Sequence, residues 1–290
     1  MTRMRRFALT TASALAALAI ALPAAAQGKS GSAPGKNKKS TPPSSSSLPI
    51  PPSTSGATGA SPMSWVDDAS LLEPGSVSFT ISAMRWTGAD VSEVDFPIVD
   101  ATFGVTKRFQ LTASVPRVVG GEDGGGAVGG FGTSYFIGKI ALLDDAKVKL
   151  AVSPMFEVLG QGARQALEPG ESRYQVGVPV SVEVGEGAMR VFGAMGFFTR
   201  GAWFAGGGTA FQLSPRSAAS FSFTRSWAKT DVAGVQRERS ELSGGLSHFL
   251  TDRIAAFGSL GHTIATTDEN GAGLTIGGGA TFFFTPRGTK

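Results

Sequence analysis

The chain has 290 residues, of which 41% are hydrophobic, 17% are charged and 40 are glycine. It contains no cysteine, which excludes a disulfide framework, a thiolate metal site and a lipid anchor on cysteine. The formal net charge is only +4, and lysines near the N-terminus contribute as much, so nothing points to a nucleic-acid partner.

The first 26 residues have the pattern of an export signal. Arg3, Arg5 and Arg6 precede an apolar run over 7–22, and Ala24 to Ala26 supply a small-residue cleavage site. The run is shorter than the roughly 20 residues that a membrane-spanning helix needs. We therefore predict a signal peptide over 1–26, cleaved after Ala26, and export to the bacterial outer membrane.

Residues 27–63 are rich in serine, proline, glycine and lysine and contain almost nothing that a core could bury. Such a composition is typical of disordered chain. We predict a periplasmic tail here, either as a solvated spacer or as a segment that reaches a periplasmic partner.

Residues 64–290 alternate between apolar and polar side chains with a period of two. In 147–159, Val148, Leu150, Val152, Phe156 and Val158 share one face, which only a strand achieves. About twelve such segments follow from this criterion. They span 75–87, 95–106, 108–118, 131–143, 147–160, 173–185, 188–200, 202–213, 217–229, 235–249, 252–264 and 272–284.

The segments have the length of tilted strands that cross a bilayer, and short turns alternate with longer links. We therefore predict an all-β fold, a closed antiparallel transmembrane β-barrel of about 12 strands, with ten or fourteen strands also compatible. A secreted β-sandwich is the soluble alternative, but its outer face would carry more varied charge.

The last segment ends in an aromatic pattern. Gly279, Phe282 and Phe284 resemble the terminal strand that outer-membrane assembly machinery recognises, although six residues follow it here. The expected partners are therefore this machinery and outer-membrane lipid.

Placing the apolar faces outward leaves a set of charged residues for the lumen. Basic residues outnumber acidic ones in this set, so we expect a weak preference for small anions, unless the charges pair across the barrel and plug it. The set is Asp100, Arg108, Lys139, Lys147, Lys149, Glu157, Glu183, Arg190, Arg237, Arg239, Glu241 and Arg253.

No catalytic, cofactor or metal site emerges from the sequence. His248 and His262 lack neighbouring ligands at metal-binding spacing. A lipid-cleaving Ser259–His262 pair would need both side chains on one face, whereas alternation puts them on opposite faces. We expect a protein that is not an enzyme.

Residues 96–116, F-P-I-V-D-A-T-F-G-V-T-K-R-F-Q-L-T-A-S-V-P, resemble a hairpin of bacterial outer-membrane barrels named for the meta-cleavage pathway of phenol degradation. Residues 67–77 are similar to the start of their first strand. The resemblance implies a barrel and passive uptake of small or hydrophobic compounds, and it transfers no binding residue. Two functions stay open: a transport barrel, and a plugged structural or interaction barrel with a periplasmic tail.

Overall fold

The computed structural model describes residues 68–88, 92–123, 126–127, 129–160, 170–186, 188–228, 238–266 and 273–285. The expected signal peptide, the expected tail and Arg237 lie outside these ranges. Within them the chain forms strands and turns, and it has no helix long and apolar enough to cross a membrane.

The described residues form sixteen strands, and all but the two-residue strands β4 and β5 lie where the sequence alternates. They are β1 (Val77–Thr87), β2 (Ser92–Thr106), β3 (Phe109–Asp123), β4 (Gly126–Ala127), β5 (Gly130–Phe131), β6 (Ser134–Asp144), β7 (Val148–Val152), β8 (Met155–Val158), β9 (Tyr174–Gly177), β10 (Val180–Glu186), β11 (Met189–Phe197), β12 (Ala202–Ser214), β13 (Ser217–Ala228), β14 (Glu238–Thr251), β15 (Ile254–Thr266) and β16 (Leu274–Phe284).

Two prolines break barrel strands into pieces. Pro154 separates β7 from β8, and Pro179 separates β9 from β10, because proline has no N–H to donate to the ladder. The breaks are adjacent, since Ser153 N donates to Pro179 O over 2.8 Å. Each pair is thus one interrupted strand. The two-residue strands β4 and β5 only pair with β3, so the barrel has twelve strands.

The sheet closes on itself. The first and last barrel strands pair from Val77 with Phe284 to Thr87 with Leu274, and β3 pairs with β6 to complete the ring. All neighbours are antiparallel, which confirms the predicted fold class and strand number. Boundaries differ by up to five residues, since β3 continues to Asp123.

The wall is apolar outside and polar inside. Outward leucines such as Leu246 and Leu260 are 62% and 54% exposed, whereas inward Thr263 and Thr281 are 1% exposed. A soluble sandwich would bury its apolar faces, so that alternative is wrong. The pattern is the one that a bilayer stabilises.

Glycines make room for aromatic rings inside the barrel. A Cβ on Gly177 would lie 2.5 Å from Cε1 of Phe198, and a Cβ on Gly196 would lie 2.5 Å from Cε1 of Phe204. Both rings are buried and pack with Tyr135. The high glycine content therefore follows partly from the need to fill a narrow interior.

The predicted assembly signal lies in β16. Phe282 and Phe284 face outward and pair with Phe79 and Val77, whereas Gly279 faces inward beneath the ring of Phe257. Recognition of these residues by assembly machinery stays a prediction.

Candidate functional site: the barrel lumen

A segment that precedes β1 lies inside the barrel. Asp68 and Ala69 are buried, and Leu72 N donates to Oε1 of Gln110 on the inner face of β3 over 2.7 Å. Gly75 N then donates to Gly104 O over 2.6 Å and leads the chain into β1. The sequence did not reveal this placement, since 68–74 has no alternation and its partners are distant in the chain.

Hydrogen bonds to the backbone hold the start of this segment. Lys139 Nζ, on β6, donates to the carbonyl oxygens of Asp68 and Ser70 over 3.0 and 3.4 Å. Ser181 Oγ, on β10, donates to the same Asp68 carbonyl over 3.3 Å. Partners on different strands therefore converge on one short stretch of backbone.

Ion pairs hold its side chains. Arg190 Nη1 donates to Asp68 Oδ2 over 3.3 Å and to Glu183 Oε1 over 2.9 Å. Ser70 Oγ donates to Glu183 Oε2 over 2.8 Å and accepts from Lys149 Nζ over 2.9 Å. Such charge-assisted contacts are the stronger hydrogen bonds of a protein interior. Residues 68–70 and these side chains are called the anchor network below.

The longer loops, which follow β8, β13 and β15, all lie at one end of the barrel. A second group of charged side chains lies in the half of the lumen nearer that end. Arg239 and Glu241, on β14, pair over 3.1 Å with side chains 1% and 0% exposed, and the Arg239 guanidinium lies 5.8 Å from the centre of the Trp86 ring. On β2, Glu93 pairs in register with Trp86, and buried Asp95 follows. On another part of the wall, Gln175 donates a hydrogen bond to buried Glu157.

The structure distributes the twelve predicted lumen residues unevenly. Those on inner strand faces are Asp100, Lys139, Lys149, Glu157, Glu183, Arg190, Arg239 and Glu241. Arg108, Lys147 and Arg253 lie in exposed turns, because β3, β7 and β15 begin one residue after them. Arg237 lies outside the described residues.

Sequence reasoning missed three acidic residues of the interior, namely Asp68, Glu93 and Asp95. The register of β2 shifts between Asp95 and Ile98, so an extra residue changes which side chains point inward. Strict alternation counted back from Ile98 would put Asp95 outside. With these residues, Asp68 and the inner faces of the described strands carry seven acidic and four basic side chains.

Small uncharged residues line the remaining wall. Along β12–β16 the inward positions include Gly206, Ser220, Ser243, Gly245 and Ser259, which are half-buried rather than buried although they point into the barrel. Accessible side chains on an inner face require open space beside them. Ser222 Oγ and Ser243 Oγ satisfy each other over 2.6 Å, so this surface offers few strong binding groups.

The histidines face the outside of the wall. His248 Nδ1 lies 2.9 Å from Ser217 Oγ, and both residues lie at the end of the barrel with the tight turns. His262 is exposed on the outer face of β15, whereas Ser259 faces inward. Ser259 and His262 therefore lie on opposite faces of β15 and form no catalytic pair.

The fold is shared with outer-membrane channels of known structure. An outer-membrane channel from Pseudomonas putida F1 matches with a TM-score of 0.59 and 14% identity, over 75% of this chain and 98% of that one. NanC porin matches at 0.54 and 8%, over 70% and 98%. KdgM porin, in complex with disordered oligogalacturonate, matches at 0.51 and 7%, over 72% and 99%. No protein-family model and no curated protein sequence matches the chain.

Proposed function

We propose that this protein is an outer-membrane channel that passes small solutes passively through its lumen. The observation that carries the proposal is the partly accessible, half-buried glycine and serine surface along the inner faces of β12–β16. The apolar outer wall and the fold shared with porins support the location. Export would remove residues 1–26, and the assembly machinery would recognise Gly279, Phe282 and Phe284 of β16.

Small uncharged or hydrophobic solutes fit this interior better than anions. Arg190 and Arg239 are each paired with a carboxylate, so the cations of the lumen are largely compensated. This assignment agrees with the uptake of hydrophobic compounds that the resemblance of residues 96–116 implies.

A plugged barrel without transport is the second candidate function. The anchor network favours it, because a segment bonded to five different barrel strands occupies part of the lumen. In that case the predicted tail over 27–63 would emerge from the periplasmic end and act on a periplasmic partner. The two candidate functions differ in whether a solute can pass through the lumen between residues 68–72 and the inner faces of β12–β16.

Solute flux into vesicles tests the proposal with a matched pair of variants. Ser243→Trp puts a bulky ring into the open part of the lumen, whereas Leu242→Trp puts the same ring on the lipid side. We expect refolded wild type and Leu242→Trp to admit small uncharged solutes at similar rates, and Ser243→Trp to admit them more slowly. Equal rates for all three, or no flux through a folded wild-type barrel, would overturn the proposal.

A further inference from the structure

Among the outward side chains that the structure describes between Val77 and Val119 on β1, β2 and β3, two are charged, and both are arginines. From Val77 to Val119 every other outward position on these strands is uncharged. Arg85 is flanked across its two ladders by Val94 and Ile276. Arg117 lies opposite Phe131, which is 68% exposed. A charge in such a surface needs an anionic partner or the headgroup layer.

Both arginines lie towards the end of the barrel with the longer loops. Arg85 is two residues from the end of β1, and its register neighbour on β3, through Val94, is Gly120. Arg117 is three residues before Gly120 on the same strand. Two strand spacings and this offset place the two Cα atoms roughly 12–14 Å apart. Extended arginine side chains on both strands can therefore reach one headgroup.

Neither arginine has an ion-pair or hydrogen-bond partner for its side chain in the part of the chain that the structure describes. Arg225, also outward and exposed, behaves differently, because its Nη2 lies 3.7 Å from Glu238 Oε2. Within the described residues, one lipid-facing arginine thus has a counter-charge from the protein, and Arg85 and Arg117 have none.

Other parts of the same rim carry groups of aromatic side chains. Trp203 pairs in register with Trp227, and its ring lies 4.7 Å from that of Phe197. Phe156 and Tyr174 stack at 5.5 Å further round the wall. Aromatic rings suit the interface of any bilayer. The part of the rim formed by β1–β3 carries Arg85 and Arg117, so its described surface is complementary to anionic headgroups.

We propose that Arg85 and Arg117 form a binding site for a phosphate-bearing lipid of the outer leaflet. The guanidinium group donates in a planar fork that matches phosphate oxygens, and the acyl chains would lie along the apolar face of β1–β3. The site rests on the proposed outer-membrane location, because only that orientation brings both arginines to the outer leaflet. It does not depend on whether the lumen conducts.

The test is a titration of the refolded, detergent-solubilised barrel with diphosphoryl lipid A, followed by native mass spectrometry. The variants are the double change Arg85→Gln with Arg117→Gln, and the single change Arg225→Gln as a matched lipid-facing control. A basic residue near a charged membrane surface contributes about a fivefold change in binding, so the double variant should bind about 25-fold more weakly. Arg225→Gln should bind like wild type.

The same lipid without its phosphates should bind wild type as weakly as the intact lipid binds the double variant. Equal binding by wild type and the double variant, equal binding of both lipids, or an equal loss in Arg225→Gln would overturn the site. Heat-modifiable migration on a gel verifies that each variant is folded. If the barrel conducts but the lipid titration fails, only the lipid site is refuted. If the lipid titration succeeds but the folded barrel does not conduct, only the channel is refuted.

Discussion

Lys139 Nζ lies 3.0 Å from the carbonyl oxygen of Asp68, a residue 71 positions earlier in the chain. The contact joins the inner face of β6 to a segment that belongs to no barrel strand. Because Lys139 is 4% exposed, its ammonium group is solvated by the carbonyl oxygens of Asp68 and Ser70 rather than by bulk water. The width of the lumen therefore depends on how firmly residues 68–70 are held.

Replacing this lysine should loosen the segment. In Lys139→Met the side chain keeps its approximate volume but loses its charge and its bonds to Asp68 and Ser70. Each hydrogen bond to a charged group that is lost lowers the free energy of unfolding by about 1.5–3 kcal/mol. We expect higher conductance in planar bilayers and faster proteolysis near residue 68. Lys107→Met, in an exposed turn, is the control, and identical behaviour of the two variants would argue against the role of the anchor network.

The pair of Arg239 and Glu241 should show the asymmetry of buried ion pairs. Arg239→Met leaves the Glu241 charge buried, which costs about 3–5 kcal/mol in the free energy of unfolding. The double change Arg239→Met with Glu241→Gln should recover most of that loss, because no uncompensated charge remains. Urea unfolding in lipid vesicles measures both variants. A double variant no more stable than the single one would show that the pair is not the source of the effect.

Gly196 should not tolerate a side chain. In Gly196→Ala the new Cβ would lie 2.5 Å from Cε1 of Phe204 and 3.0 Å from the backbone of Pro179, so the ring and strand must shift. Overpacking of this kind costs about 1–3 kcal/mol. Gly120→Ala is the matched control, since its Cβ would meet nothing within 4 Å. Unfolding in urea measures both variants, and equal stability would contradict the packing described for the interior.

Leu260 tests the membrane-facing assignment of the wall. It lies at the middle of β15 and is 54% exposed. Leu260→Arg should cost about 2–4 kcal/mol in vesicles, whereas Thr251→Arg, at the strand end, should cost about 0–1 kcal/mol. Folding titrations into lipid vesicles measure the difference. Equal costs at the two positions would mean that Leu260 does not face the hydrocarbon layer.

The barrel could be predicted from the sequence because alternation alone decides whether a side chain points to the lipid or to the lumen. Each barrel strand contributes an apolar and a polar face, and the twelve predicted segments are the twelve strands found. Asp95 is a local exception, because the register shift beside it reverses which side chains of β2 point inward and leaves no mark in the amino-acid composition.

The interior could be predicted only in part. Lys139, Lys149, Glu183 and Arg190 were predicted for the lumen, but their shared contact with residues 68–70 was not. A segment without periodicity gives no signal of what it packs against, and pairing between residues about 70–120 positions apart leaves no local pattern. For the same reason the sequence overestimated the basic character of the lumen, since Asp68 and Asp95 were not counted.

Single-channel recording of the refolded chain without residues 1–26 tests the central claim most directly. We predict steady conductance steps in a planar bilayer, reduced in Ser243→Trp and unchanged in Leu242→Trp. Silence from a barrel that migrates as a folded, heat-modifiable protein would contradict the channel, and it would leave the plugged barrel as the function of this chain.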